Sequence, residues 1–314
     1  MDVFDGLPDP IIVDILNKVG DVRTILRCSS LSKRFNSLAP QSESLILRLD
    51  HSESDSPNIF RSLFNSFHGL LSLFSKPTKP IPTPALSPSL PSKILSHFDK
   101  IRSLDVELPR GDVKLEKGAA VKWKAEFGKT LKSCVVVTFR SAATVSPPVA
   151  VDGESDAEFV NGLKTRVVCT INSLMAASTR HYLMSEVVKE HEEMESLVIR
   201  DVEGEGMVVM DAEGLREFRS TRGEDEEERV VRNRRSVVPS VKMSMRHAPS
   251  LKLKSSGVCL ESATLVIVRP SGVEYDVGDD AELATEAFAG NCMYGEAVVA
   301  LLKCKKTALE MNSF

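Results

Sequence analysis

The sequence predicts an α+β chain in which a small three-helix unit at the amino terminus precedes a larger mixed α/β domain. Two observations indicate this division. Three short helical patterns fill residues 4 to 38, whereas strand-like and helix-like segments alternate over the remainder. The chain has 314 residues, 42% of them hydrophobic, so it is long enough for two domains and apolar enough for a core.

The first helix is predicted from about Pro10 to Val19. Asp9 is a suitable N-cap, Pro10 suits the first helical position, and Gly20 is a natural C-terminal stop. The apolar residues of this segment share one broad stripe, which consists of Ile11, Ile12, Ile15, Leu16 and Val19.

Two shorter helices follow. Asp21 can cap the second helix, and Ser29 or Ser30 can start the third. Their apolar residues at helical spacing are Val22, Ile25, Leu26, Leu31, Phe35 and Leu38. Three helices in so short a stretch cannot bury all of this surface among themselves. We therefore expect the unit to need a partner that covers the remainder.

The order of these elements carries a family resemblance. Leu7-Pro8 opens the first helix, and Ser32 to Phe35 gives the third a Ser-Lys-Arg-aromatic pattern. With these features residues 4 to 45 resemble an F-box. Pro10, Leu31 and Phe35 replace the acidic residue, valine and tryptophan that are common there, but they keep the helix signal or the apolar character. The whole chain is also similar to the plant auxin up-regulated F-box proteins.

The resemblance implies a function without catalysis by the chain itself. The F-box would dock a Skp-type adaptor, which links it to a cullin and a RING protein in an SCF-type E3 ubiquitin ligase. The domain from residue 46 to 314 would then bind an unidentified target protein for ubiquitination and degradation, in auxin responses. The residues predicted to bind the adaptor are Leu7, Pro8, Ile11, Ile15, Leu16, Val19, Leu26, Leu31 and Phe35.

Three alternatives stay open. Periodicity alone fits an ordinary helical hairpin that packs on the rest of the chain, and the Leu-Pro start joined to the third-helix pattern is what favours the F-box. An F-box protein can also act as a scaffold with no role in degradation. Finally, the second domain can be a small-molecule-dependent sensor that requires a ligand before it binds its partner.

The first part of the second domain alternates loops with strands and helices. We predict a proline-rich loop over residues 76 to 91, and we expect Trp123 in the core. Strands are predicted at Leu45–Asp50, Ile101–Leu108, Cys134–Phe139 and Met194–Arg200, and helices at Ile59–Phe74, Leu90–Phe98, Ala157–Ser178 and Arg180–His191. This succession resembles leucine-rich repeats in an irregular form, because the strand intervals of about thirty to sixty residues exceed the repeat length.

The last part begins with Gly204-Glu205-Gly206, which is predicted to be a hairpin turn before a strand at Met207–Met210. A charged loop is predicted over residues 220 to 236. The remaining predictions are strands at Val237–Leu253 and Leu260–Val268, a helix at Asp279–Ala289, and a strand or short helix at Glu296–Lys303.

Composition excludes several functional classes. The net charge of -4 and the pI near 6.0 argue against general nucleic-acid binding, and no apolar run is long enough for a membrane span. The six scattered cysteines and six histidines form no metal motif, and no catalytic or phosphate-binding motif occurs. We therefore predict no catalytic residue, cofactor or metal, and a location in the nucleus, the cytoplasm or both.

Overall fold

The computed structural model describes Phe4 and residues 6–49, 89–109, 119–143, 156–220, 238–272 and 277–312. The predicted helix Ile59–Phe74, most of the proline-rich loop and nearly all of the charged loop lie outside these residues. By compactness the chain divides into a first unit, Met1–Leu104 with Tyr182–Met194, and a second unit, Asp105–His181 with Glu195–Phe314.

The described helices are α1 (Asp9–Val19), α2 (Val22–Ser29), α3 (Lys33–Leu38), α4 (Ser89–Leu95), α5 (Asp156–Leu183), α6 (Ser185–Glu190), α7 (Ala212–Ser220), α8 (Val277–Ala287) and α9 (Cys292–Leu301). The described strands are β1 (Ser44–Arg48), β2 (Ser103–Leu108), β3 (Ala120–Phe127), β4 (Leu131–Phe139), β5 (Ser141–Ala143), β6 (Ser196–Asp201), β7 (Gly206–Met210), β8 (Val241–Lys252), β9 (Cys259–Pro270) and β10 (Lys306–Met311).

The ends of the first three helices follow from local chemistry. Gly20 ends α1 with φ +63°, a left-handed conformation that glycine adopts without strain, and the Asp21 side chain caps α2 by accepting from the Thr24 amide at 3.0 Å. Two details of the prediction are wrong. Pro8 is the N-cap of α1 and Asp9 is the first helical residue, while α3 begins later because Ser32 caps it by accepting from the Phe35 amide.

The first unit has a core made by its helices and β1. Ile12 and Leu16 of α1 are buried, as are Val22 and Ile25 of α2 and Leu38 of α3. Backbone bonds tie the segment after α4 to this core, because Asp99 N donates to Pro40 O and Arg102 N donates to Glu43 O, each at 2.9 Å. Ser89 to Pro91, the end of the predicted proline-rich loop, form the first turn of α4.

The second unit is built on a mixed sheet with the strand order β2-β6-β7-β3-β4-β9-β8-β10, and β5 pairs with β9. Among the pairings of described strands with an assigned register, β3–β7 is parallel and the others are antiparallel. A leucine-rich-repeat solenoid would line up successive strands side by side along the chain. The fold is therefore mixed α/β as predicted, but the repeat-like detail is not confirmed.

Several elements differ from the sequence prediction. Strand β3, helix α7 and strand β10 were not predicted. Of the two alternatives predicted for Glu296–Lys303, a strand or a short helix, the structure has the helix, because most of the segment belongs to α9. The predicted break before Arg180 is absent, because α5 continues to Leu183. The expected burial of Trp123 is confirmed, and the predicted turn at residues 204–206 joins the antiparallel strands β6 and β7.

Two apolar layers cover the faces of this sheet. On one face Trp123 of β3 is buried, with the Arg180 guanidinium of α5 at 4.7 Å from its ring centroid. His181 of the same helix stacks on Phe127 with ring centroids 4.5 Å apart. On the other face, the cluster that joins strands β4, β8 and β9 to helices α8 and α9 includes Val135, Val137, Leu265, Ile267, Ala284, Phe288, Val298 and Leu301.

Candidate functional site

Helix α1 carries two apolar stripes. Ile12 and Leu16 face the core of the first unit and are buried. Ile11, Ile15 and Val19, which follow one another at four-residue intervals on the same side of the helix, remain 45%, 36% and 41% exposed. The core of the first unit is filled without these three side chains, so the unit leaves their apolar surface uncovered. It is therefore a candidate contact surface.

The segment before α1 extends this surface. Pro8 is exposed and Leu7 is half-buried. Phe4, which sequence reasoning did not select, is 38% exposed and meets the ring of Phe35 edge to face, with centroids 5.3 Å apart. The contact fixes the Phe4 ring against α3. The signal that could have identified Phe4 was an aromatic residue just before the Leu-Pro pair.

Arg34 of α3 holds that segment in place. Its Nε donates to Asp9 Oδ1 at 2.8 Å, and its Nη1 donates to the carbonyl oxygen of Phe4 at 2.9 Å. Its Nη2 donates to the carbonyl oxygen of Leu7 and lies 2.7 Å from Asp9 Oδ1. The planar guanidinium thus reaches three acceptors at once, a geometry that a lysine ammonium does not offer.

The other predicted adaptor contacts fall into two groups. Leu31, between α2 and α3, is 74% exposed, and Leu26 is half-buried. Leu16 and Phe35 lie in the core of the unit, so in this structure they support the surface from within. We name as the docking face the exposed or half-buried members of the predicted set: Leu7, Pro8, Ile11, Ile15, Val19, Leu26 and Leu31.

The Asp21 carboxylate, with its hydrogen bonds and nearby arginines, fixes the start of α2. Partial burial acts to raise the pKa of Asp21, but hydrogen bonds from the Thr24 hydroxyl and amide, with the nearby Arg48 and Arg23, lower it overall. Arg48 Nη1 lies 3.0 Å from Asp21 Oδ1, which ties β1 to the helix. The carboxylate is therefore ionised at neutral pH and holds the α1–α2 corner.

A shallow groove runs along another side of α1. It is lined by Asp9, Pro10, Val13, Asp14, Asn17, Leu38, Gln41 and Glu43. Asn17 Oδ1 accepts from the backbone amide of Glu43 at 2.8 Å, so this wall of the groove is fixed. The lining combines three acidic residues, Asp9, Asp14 and Glu43, with apolar ones, whereas the docking face is apolar.

Within the described part of the chain, no group of three or more histidine, cysteine, aspartate or glutamate side chains could hold a metal ion. Nor does any described helix have the length and apolar character to cross a membrane. Two histidines of the second unit contact backbone carbonyl oxygens and have a structural role. His181 Nε2 lies 3.1 Å from the Gly128 carbonyl oxygen, and His247 Nδ1 lies 3.0 Å from the Ala263 carbonyl oxygen.

Comparison with known proteins gives full-length relatives. The chain is 80% identical to F-box protein AUF2 and 62% identical to F-box protein AUF1, both from Arabidopsis thaliana, with all of each chain covered. Three further F-box proteins of the same plant are 32% to 34% identical, with 94% of each covered. No protein-family model matches the chain. No solved structure matches it either.

Proposed function

The chain belongs to the F-box protein family, as its resemblance to the auxin up-regulated F-box proteins predicted, and we propose that it is the substrate-recognition subunit of an SCF-type ubiquitin ligase. In this proposal the docking face binds a Skp-type adaptor, which brings a cullin and a RING protein. The remainder of the chain binds the target protein. The chain contributes position and no chemistry.

The observation that carries the proposal is the uncovered stripe on α1. Ile11, Ile15 and Val19 are exposed although Ile12 and Leu16 already complete the core beneath the helix. A partner that covers the stripe removes apolar surface from water, at roughly 25 cal/mol per Å². Leu31 adds a fourth exposed apolar side chain from the turn before α3.

Preorganisation supports the same role. Ordering a loop during association costs free energy, so a segment that is already fixed binds more tightly. The bonds from Arg34 to Phe4, Leu7 and Asp9 fix the Leu7-Pro8 start before any partner arrives. The Leu7-Pro8 part of the docking face is therefore held beside the start of α1 without a partner.

The proposed mechanism is positional. A target held by one part of the chain and a ligase held by another meet at an effective concentration in the millimolar range for short links, which is far above their free concentrations. Auxin responses are the proposed setting, as the resemblance to the auxin up-regulated F-box proteins implies. The nucleus or cytoplasm is the proposed compartment, which is consistent with six free thiols.

Proximity labelling tests this function. The full-length chain and its Ile15→Asp variant are each fused to a labelling enzyme, with and without proteasome inhibition. We expect target proteins to be labelled by both chains. With the normal chain they should accumulate when the proteasome is inhibited, whereas with Ile15→Asp their level should not depend on inhibition.

A different result identifies a scaffold. If the proteins labelled by the normal chain keep the same level with and without inhibition, the degradation role is wrong, even where the adaptor itself is labelled. Labelling that depends on an added small molecule would instead favour the sensor alternative.

A further inference from the structure

Strand β10 forms an open edge of the sheet in the second unit. All six of its residues pair with β8, from Lys306 opposite Arg246 to Met311 opposite Val241. Its other side has no backbone partner within the described residues, and the strand is the last in the order of the sheet. Lys306, Thr307, Ala308 and Glu310 are exposed. Such an edge is a template on which a further strand can pair.

The side chains of β10 alternate between the two faces of the sheet. Lys306, Ala308 and Glu310 share one face, whereas Thr307, Leu309 and Met311 share the other. In an antiparallel pair, residues directly opposite each other lie on the same face and their side chains interact. When Ala308 is opposite Ala308 of a second copy, Lys306 is opposite Glu310 at both ends.

We propose that two copies of the chain associate through their β10 edges, which pair antiparallel about a twofold axis at Ala308 and extend the sheet across the dimer. The contact is isologous, because each copy offers the same strand to the other. This inference rests on the second unit alone and does not depend on the proposed ligase function.

Charge complementarity favours a second copy of the chain as the partner of β10, and it favours the register centred on Ala308. The register centred on Ala308 places opposite charges face to face twice and a small residue at the axis. A register centred on Leu309 would put Glu310 opposite Ala308 and leave both charges without an opposite partner. Lys306 now contacts Asp280 at 3.1 Å and Glu310 contacts Lys242 at 3.7 Å, but these side chains of β10 remain 41% and 71% exposed and can reach a second strand.

The size of the contact sets its strength. Stable complexes bury about 1,200–2,000 Å² in total, and a pair of six-residue strands alone buries less. We therefore expect a weak dimer that forms with rising concentration. Opposite charges on an edge strand also restrict pairing to complementary strands, so the same two residues that favour this register disfavour others.

Sedimentation of the full-length chain over a range of concentrations gives the first test. Lys306→Glu and Glu310→Lys each place like charges opposite each other at both ends of the paired strands. Each variant alone should therefore dimerise at least about tenfold more weakly than the unmodified chain. An equal mixture of the two variants should form heterodimers as strongly as the unmodified chain does, because every facing pair is then complementary again.

An introduced thiol at the axis gives the second test and does not depend on the charged side chains. Ala308→Cys places two thiols opposite each other, at a Cα separation that a disulfide can span. Thr307→Cys is the matched control, because Thr307 faces Leu309 of the second copy. Both positions are exposed, so we expect each variant to fold, and thermal melting is the check.

We expect mild oxidation to cross-link Ala308→Cys and to leave Thr307→Cys at the background level of the unmodified chain. Equal cross-linking of the two variants would overturn the proposed register. A chain that stays monomeric at every concentration would overturn the proposed dimer. This holds even if the β10 edge of that monomer binds an unrelated extended peptide.

Discussion

Nη2 of Arg180 donates to Oδ2 of Asp201 at 2.8 Å, and the two side chains are only 1% and 0% exposed. Arg180 Nη1 also donates to the carbonyl oxygen of Gly206 at 2.6 Å, and Asp201 accepts from the backbone amides of Glu205 and Gly206, each at 2.8 Å. The pair therefore joins helix α5 to the turn between β6 and β7, in the middle of the second unit.

The first prediction is that Asp201→Asn strongly destabilises the second unit. The substitution keeps the size of the side chain but leaves the Arg180 charge buried without compensation, a loss that costs about 3–5 kcal/mol. Urea unfolding measures it. Asp105→Asn is the control, because Asp105 pairs with Arg200 at a partly exposed site and should cost about 1 kcal/mol or less. Equal small losses for both variants would contradict this role of Asp201.

The second prediction concerns Gly206, whose backbone lies against Trp123. A Cβ at this position would lie 2.3 Å from two ring carbons of the tryptophan, and both groups are fixed in the core. Gly206→Ala should therefore lower the free energy of unfolding by about 1–3 kcal/mol. Gly272→Ala should change it by less than about 0.5 kcal/mol, because a Cβ there would meet no atom within 4 Å among the described residues beyond its chain neighbours. Thermal melting of both variants is the measurement.

The third prediction is a pH dependence that originates at His181. Burial lowers the pKa of this imidazole to about 4, although its hydrogen bond with Gly128 acts in the opposite direction. Between about pH 6.5 and pH 4 the unfolded chain binds a proton that the folded chain does not. The free energy of unfolding should then fall with decreasing pH, by up to about 1.4 kcal/mol per pH unit, and this loss is absent above about pH 6.5.

Urea unfolding at pH 5 and pH 7 measures this dependence. His181→Phe cannot bind the proton and should show a smaller difference in unfolding free energy between the two pH values. The stacked contact with Phe127 can be kept by the phenylalanine ring. An unchanged pH difference in the variant would assign the dependence to other groups.

The fourth prediction, which rests on the proposed function, is that Arg34→Lys weakens adaptor binding by about tenfold. Lysine keeps the charge but cannot reach the acceptors on Phe4, Leu7 and Asp9 together, so the Leu-Pro segment loses its fixed position. The ion pair with Asp9 is exposed, so the free energy of unfolding should change by less than about 1 kcal/mol. Arg27→Lys, at the exposed end of α2, should leave adaptor affinity unchanged.

Local chemistry explains which parts of the fold could be predicted from sequence. Gly20 and Asp21 mark the α1–α2 corner, and the structure confirms both roles. Strand β3 was missed although its sequence alternates apolar and charged residues from Val121 to Phe127, which is the pattern typical of a half-buried strand, and the apolar side chains are buried. Strand β10 carries almost no apolar alternation, and its pairing with β8 defines it.

Tertiary contacts determine the features of the fold and of the docking face that could not be predicted from sequence. Helical spacing alone put Ile11, Ile12, Ile15 and Leu16 in one stripe, and only the packing of the first unit separates the exposed pair from the buried pair. The same limit applies to Phe35, which the sequence pattern assigned to the adaptor surface and which the structure places against Phe4 in the unit. Which strand neighbours which could not be predicted, because register depends on partners distant in sequence.

The most direct test of the central claim is the affinity of the full-length chain for a purified plant Skp-type adaptor, measured by isothermal titration calorimetry with Ile15→Asp and Val299→Asp. Val299 is the control because it is also an exposed aliphatic residue within a helix, but it lies in the second unit. A charge buried without a partner costs several kcal/mol, so Ile15→Asp should bind at least about a hundredfold more weakly. Val299→Asp should bind like the unmodified chain. A folded Ile15→Asp variant that binds the adaptor with undiminished affinity would contradict the assignment of the docking face.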